Sequence, residues 1–321
     1  MTGVRGVSWL VWRQHRTTLW ALLAFTVLVA GFFLYGGSGA ADATSTLAGC
    51  VDATGPTAPP ECSQAVTDFQ QQHQYPLRQP LQVLQLLPLV FGLFLGAPLF
   101  AQEVESGTYR TALAQSVPRN RWFRAKVTVP VVMTVLGAGA ITACATWWWH
   151  AVPAPLGSRF PWHGSMPFAA VGPAPVAKAL LVLAIGITLG LLVRRTVAAM
   201  AATAVTGAVV LFALEHVRGA LWPTVVAQRS DITAEPAPDG AWILNGGLVD
   251  TTGRRVPESS ECYASTDYGQ CLAGKGITGR WTEFHPASHF WPLQWTQTGL
   301  CLAASAALIA LCFWWTRHRL T

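Results

Sequence analysis

Charged residues are scarce in this sequence. Asp, Glu, Lys and Arg make up 11% of its 321 positions, while 52% are hydrophobic; an ordinary soluble domain carries about 25% charge. A chain so poor in charge cannot solvate its own surface, so lipid is expected to be its main solvent. A phosphate-binding loop is missing too. That motif needs G-x-x-x-x-G-K-[ST], with glycines exposing backbone amides and a lysine reaching the outer phosphates. The one Gly-Lys pair, Gly274–Lys275, is followed by Gly276, so the chain is not expected to hydrolyse ATP. No A-x-A-like cleavage site follows a short apolar stretch near Met1, and the first apolar run is long enough to span a bilayer, so it reads as a membrane segment. No internal repeat is evident.

What is present are uncharged apolar runs of membrane-spanning length, about 17–25 residues. They predict an all-α membrane protein with six transmembrane helices, at 18–37, 81–102, 127–149, 176–193, 196–214 and 296–315. The 176–214 stretch, interrupted only by Lys178 near its start and by Arg194–Arg195, has to be divided. As one helix it would measure about 58 Å, nearly twice a hydrocarbon core of about 30 Å. Arg194 and Arg195 would then lie in lipid at a cost of several kcal/mol. Splitting it at this pair puts both charges at a membrane surface.

Basic residues set the orientation. With both termini inside, the cytoplasmic segments hold Arg5, Arg13, Arg16, Arg110, Arg119, Arg121, Arg124, Lys126, Arg194, Arg195, Arg317 and Arg319, against only Glu103 and Glu105. The positive-inside rule selects N-in and C-in. This leaves extracellular loops at 38–80, 150–175 and 215–295, a cytoplasmic loop at 103–126 and a tail at 316–321. The positive net charge thus reports topology, and no nucleic-acid partner is expected. Cysteines agree: Cys50 and Cys62 fall in the first exterior loop, Cys262 and Cys271 in the last, and none in a cytoplasmic loop. An oxidising exterior favours disulfides Cys50–Cys62 and Cys262–Cys271, and the two loops read as small cysteine-containing caps. Tryptophans at 147–149, 291, 295, 314 and 315 mark span ends, where amphipathic rings prefer the interface. Residues 1–17, with Trp9, Trp12, Arg13 and Arg16, suggest an amphipathic helix on the inner leaflet.

The cytoplasmic stretch EVESGTYRTALAQSVPRNRWFRAK (103–126) is too long for a turn and too short for a domain. Thr108–Ser116 has no breaker and is bounded by Gly107 and Pro118, which predicts a two-turn helix. The basic residues from Arg119 to Lys126 would anchor the third span against anionic lipid. Together with the opening SWLVWRQHRTTLWALL (Ser8–Leu23), the ExExGTYR segment (Glu103–Arg110) and QSVPRNRWFRAK (Gln115–Lys126), this order of parts resembles the ABC-2 type transporter permeases, particularly the small actinobacterial ones. The resemblance implies a transmembrane subunit of an ATP-driven exporter. Glu103, Glu105, Gly107, Thr108 and Arg110 would form the coupling element that docks on a cytosolic ABC ATPase, and Trp9, Trp12, Arg13 and Arg16 a connecting helix. It also implies a dimer, either of two copies or with a sister permease. No cofactor is expected on this chain; ATP and Mg belong to the ATPase.

Other chemistries are weaker. Gly36–Gly37–Ser38–Gly39 matches the G-x-S-G of intramembrane serine proteases, but a serine nucleophile needs a histidine base in reach, and the sixth span has none. Glu283, His285 and His289 lack further metal ligands, and Pro286 spoils helical spacing between them. Few ionisable groups are expected within the spans, which disfavours ion-coupled transport and suits a hydrophobic or amphipathic substrate. The alternative function is a membrane-anchored sensor or immunity protein that binds an extracellular peptide.

Overall fold

The computed structural model describes residues 2–47, 50, 59–74, 81–107, 119–151, 161–232, 234–258, 262, 265 and 267–319. It divides into two compact units: a larger one of Met1–Phe160, Gly164–Glu215 and Gln297–Thr321, and a smaller one of Pro161–His163 and His216–Thr296.

The larger unit is helical. Its helices are α1 (Thr2–Thr46), α2 (Pro60–Phe69), α3 (Leu87–Phe91), α4 (Pro98–Glu105), α5 (Arg119–Ala151), α6 (Ser165–Ala170), α7 (Ala174–Val193) and α8 (Thr196–His216). Among the described residues, six helices are long and apolar enough to cross a membrane: Trp20–Ala40, Leu87–Glu105, Trp122–His150, Ala174–Val193, Thr196–His216 and Ala287–His318. The first of these lies within a single unbroken helix, so the segment read as a separate surface helix is continuous in backbone with the span that follows it. At 1.5 Å per residue the 45 residues of α1 reach about 68 Å.

The second span is not uniform. Between α3 and α4 the chain winds as a π-helix over Gly92–Gly96. Pro98 supplies the reason: a proline donates no backbone hydrogen bond, so the ladder must be rearranged ahead of it. Ala97 N donates to Gly92 O at 2.9 Å, five residues back. The division of the 176–214 stretch also has a local cause. Arg194 takes the left-handed conformation (φ 59°) and ends α7, and α8 starts two residues later. A left-handed residue is the usual helix terminator, commonly Gly; here an arginine fills it.

Spans two and four meet through glycine. A side chain on Gly96 would come within 2.6 Å of Leu183 O, and one on Gly186 within 2.5 Å of Gly92 O and 2.9 Å of Ala97 N. Gly190 faces Ala97 O in the same way. Two GxxxG pairs, Gly92/Gly96 and Gly186/Gly190, therefore bring the backbones together, the packing that lipid-embedded helices favour. Around this pair, α1 packs along α5. Ala177, Leu181, Ile185 and Cys301 form a further buried cluster that Val210, Leu214 and Leu308 flank.

The smaller unit is built around a four-stranded antiparallel sheet, an element absent from the sequence expectation for 215–295. Strands β1 (Val225–Arg229), β2 (Trp242–Asp250), β3 (Arg255–Val256) and β4 (Ile277–His285) are ordered β1-β4-β2-β3. Asp250 makes the β2–β3 turn: its carboxylate accepts from Thr252 N at 2.8 Å and Arg254 N at 2.9 Å. Helix α9 (Tyr268–Gly274) is capped by Asp267, whose Oδ1 accepts from Gln270 N. The core holds Leu248, Cys262 and Leu272, with Ile232, Val256 and Ile277 against them. The last helix, α10 (Phe290–Arg319), begins in this unit and ends in the larger one. The protein is thus mainly α-helical and membrane-spanning, with one small sheet.

Candidate functional site

The cysteine pairs are joined as disulfides, Cys50–Cys62 with Cα atoms 5.2 Å apart and Cys262–Cys271 with Cα atoms 5.7 Å apart. Cys144, Cys301 and Cys312 are free.

Of the coupling residues, Glu103 and Glu105 occupy the last turn of α4, and Gly107 follows with φ +72°, a conformation that L side chains rarely adopt. Thr108 and Arg110, and the two-turn helix expected over Thr108–Ser116, lie outside the described residues. Trp9, Trp12, Arg13 and Arg16 belong to the first part of α1, and their side chains also lie outside the described residues.

The two glutamates are engaged with other helices. Glu103 pairs with Lys126 of α5 at 2.5 Å, a contact in which the lysine side chain is 2% exposed and the carboxylate 12%. Lys126 Nζ also donates to Leu99 O at 3.0 Å and lies 5.0 Å from the ring centres of both Phe100 and Trp122. The lysine thus has a carboxylate, a carbonyl and two aromatic faces around it, the set of partners a buried ammonium requires. Sequence reasoning had placed Lys126 among the lipid-anchoring cations; it is instead buried in protein, because Glu103 gives it a partner. Glu105 Oε2 accepts from Thr196 N at 2.8 Å, so a carboxylate sits at the start of α8, where unpaired amides and the helix dipole favour negative charge.

Lys126 and Thr196 were not among the expected site residues. Lys126 falls inside a basic run that reads as surface, and no local pattern ties position 105 to position 196. The glycine pairs were likewise not anticipated, although the small-xxx-small spacing of GLFLG (92–96) and GITLG (186–190) is the signal that marks them. Lys178 of α7, the charged residue inside the expected fourth span, is buried with its ammonium 5.7 Å from the Phe168 ring centre.

The other chemistries do not assemble. Ser38 Oγ donates to Tyr35 O within its own helix. His285 lies 2.9 Å from His289 through their Nδ1 atoms, and its Nε2 meets Gly219 O at 2.9 Å. Since Gly219 O can only accept, His285 Nε2 carries the proton, its Nδ1 accepts, and His289 Nδ1 donates. Glu283 meanwhile accepts from Thr224 Oγ1 at 2.6 Å. Among the described residues no group of three potential ligands could hold a metal. The ring cluster of the smaller unit is structural: Arg218 lies 4.7 Å over Trp242, and the His163 ring stacks on Trp242 at 5.9 Å and 2°.

Six apolar helices and two exterior-type disulfides define a multi-pass protein of the plasma membrane. The family model for the ABC-2 membrane transporter related proteins matches residues 23–218, and the chain belongs to that family, a family of permeases rather than of ATPases. The match covers the first five of the six spans and the 103–126 loop. No curated protein and no solved structure matches the chain.

Proposed function

We propose that this chain is the transmembrane subunit of an ATP-driven exporter, moving a hydrophobic or amphipathic substrate by alternating access. A separate cytosolic ATPase supplies ATP and Mg, and the assembly contains two permeases, either two copies or this chain with a sister. The membership of residues 23–218 in a permease family carries the reading. Two further features support it. The loop between the second and third spans leaves the membrane from a rigid base at Glu103 and Lys126, which suits a segment that receives force. The spans present mostly apolar surface, including Val197, Val205, Val209 and Phe212 of α8, which suits an apolar cargo.

In this reading Glu103, Glu105, Gly107, Thr108 and Arg110 form the element that contacts the ATPase, and Trp9, Trp12, Arg13 and Arg16 form the connecting helix at the inner membrane face. Purifying the tagged chain from its native membrane and asking whether an ABC ATPase copurifies tests the assembly. A stoichiometric complex with ATPase activity is expected; a chain that purifies without the ATPase contradicts it and favours the sensor function. Within the complex, replacing Glu105 by Ala or Gly107 by Leu should leave insertion and ATP hydrolysis in place while reducing export. Undiminished export in both variants would contradict the coupling role.

A further inference from the structure

Two contacts close the base of the 103–126 loop, and both start from the same turn of α4. Glu103 holds Lys126 of α5 at 2.5 Å, and Glu105 accepts from Thr196 N of α8 at 2.8 Å. The lysine is fixed by more than its ion pair: Leu99 O accepts from it, and the Phe100 and Trp122 rings lie on it. The α8 contact is backed by a buried apolar cluster of Ala97, Ala101 and Ala199, with Val193 and Met200 packed against it. Charge-assisted hydrogen bonds of this kind are short and directional, and burial of the first pair makes an unpaired state costly. Because the two glutamates are only two residues apart on one helical turn, rotating that turn to break one contact disturbs the other.

We infer that Lys126 and Thr196 are positioning residues, which lock the starts of α5 and α8 to the end of α4 through Glu103 and Glu105. A displacement applied to the loop is then delivered to three spans together rather than to α4 alone. The use of that displacement rests on the permease reading; the lock itself does not. Lys126 cannot be exchanged with its partner at no cost, since a carboxylate at position 126 would face Leu99 O and two ring faces. The lock therefore depends on a cation at that position.

Hydrogen exchange of the full chain in lipid nanodiscs tests this without the ATPase. Lys126→Met should speed exchange of the Thr196 amide, bonded to Glu105, and of the Ala199 amide, bonded to Arg195 O, by roughly tenfold or more, while the Gly186–Gly190 amides stay protected. Lys126→Arg, which keeps the cation, should restore most of the protection at Thr196. Unchanged exchange at Thr196 in a Lys126→Met chain with Gly186–Gly190 still protected overturns the inference. If Lys126→Met does not fold, Thr196→Pro provides the reverse test. It removes the donor at a helix position that tolerates proline, and it should speed exchange at residues 122–127; no change there overturns the inference. A complex with the ATPase that forms while these exchange patterns fail would leave the permease reading standing and the lock refuted. The opposite pair of results would do the reverse.

Discussion

Spans four and five, α7 and α8, are neighbours in sequence and nearly equal in hydropathy, yet they live in different surroundings. In α7, 67% of the apolar window is buried within the protein, whereas in α8 the figure is 17%. The difference comes from what each helix packs against rather than from apolar character or side-chain size, since α8 is the richer in alanine and yet the more exposed. Helix α7 presents Gly186 and Gly190 to the equally small Gly92, Gly96 and Ala97, so backbones approach each other. Helix α8 directs Val197, Val205, Val209 and Phe212 outward, with exposures from 61% to 80%. In water, burying a large apolar side chain is what pulls a helix inside. In lipid that driving force is absent between helices, and close van der Waals contact favours small residues where two backbones meet, as at Gly186 and Gly190.

The sharpest way to break this contrast is to put bulk where the backbones meet. Gly186→Leu should prevent stable accumulation of the protein, a loss beyond the roughly 1–3 kcal/mol usual for overpacking, because the obstructing atoms are backbone. Gly139→Leu, at a glycine with open space around it, should change thermal stability by no more than about 0.5 kcal/mol. Measuring detergent-solubilised yield and melting temperature of both variants checks the pair.

A second contrast separates the glycine-packed membrane unit from the smaller unit, which closes a polar fold with a crosslink. Replacing Cys262 and Cys271 by Ser opens a loop with a separation of nine residues, and should cost about 2–3 kcal/mol. The loss should appear as a lower melting transition of the sheet unit, with the protection of α7 amides unchanged. A common drop in both would mean that the units do not melt separately.

The smallest effects are those of pH on the sheet unit. Burial, and then the neighbouring Arg218, push the His163 imidazole below the ordinary histidine value. Its folded pKa is lower than its unfolded one, so its contribution to stability is present above about pH 6.5. That contribution is lost as pH falls through the folded pKa. Asp250 behaves the same way at more acid pH. Hydrogen bonds from Thr252 and Arg254 outweigh desolvation and lower its pKa from 3.8 to about 2. The turn it makes should therefore weaken from about pH 4 down to 2. Melting temperature of the sheet unit against pH should show a shallow decline below 6.5 that His163→Phe reduces, with His289, lowered by burial and by His285, contributing to the rest; an unaltered decline in that variant would assign it elsewhere.

The sequence was most informative where a single physical requirement dominates. A run of uncharged apolar residues must lie in lipid, so the helical membrane class was legible from charge alone. The split at Arg194–Arg195 followed from the cost of burying two charges, even though the residue that makes the turn, Arg194 at φ 59°, is not a usual turn former. The sheet at 225–285 was not legible, because its strands show weak alternation. In β1 only the central residue is even half-buried, and its partner β4 is fifty residues away. The site shows the same division. Glu103 and Glu105 stood out as acidic residues in a basic loop. Lys126 did not, because its burial depends on contacts with Leu99, Phe100 and Trp122 that no local pattern encodes.

Docking of Glu103 and Glu105 on a cytosolic ATPase requires the α7–α8 turn to face the cytosol, since Thr196 lies there beside Glu105. Cysteine placed at the exposed position of Arg195, and probed with a membrane-impermeant maleimide, decides it against the unsubstituted chain as background. Labelling only after the membrane is permeabilised is the predicted result. Labelling of intact cells would put Glu103, Lys126 and Thr196 on the outer face, out of reach of any cytosolic ATPase.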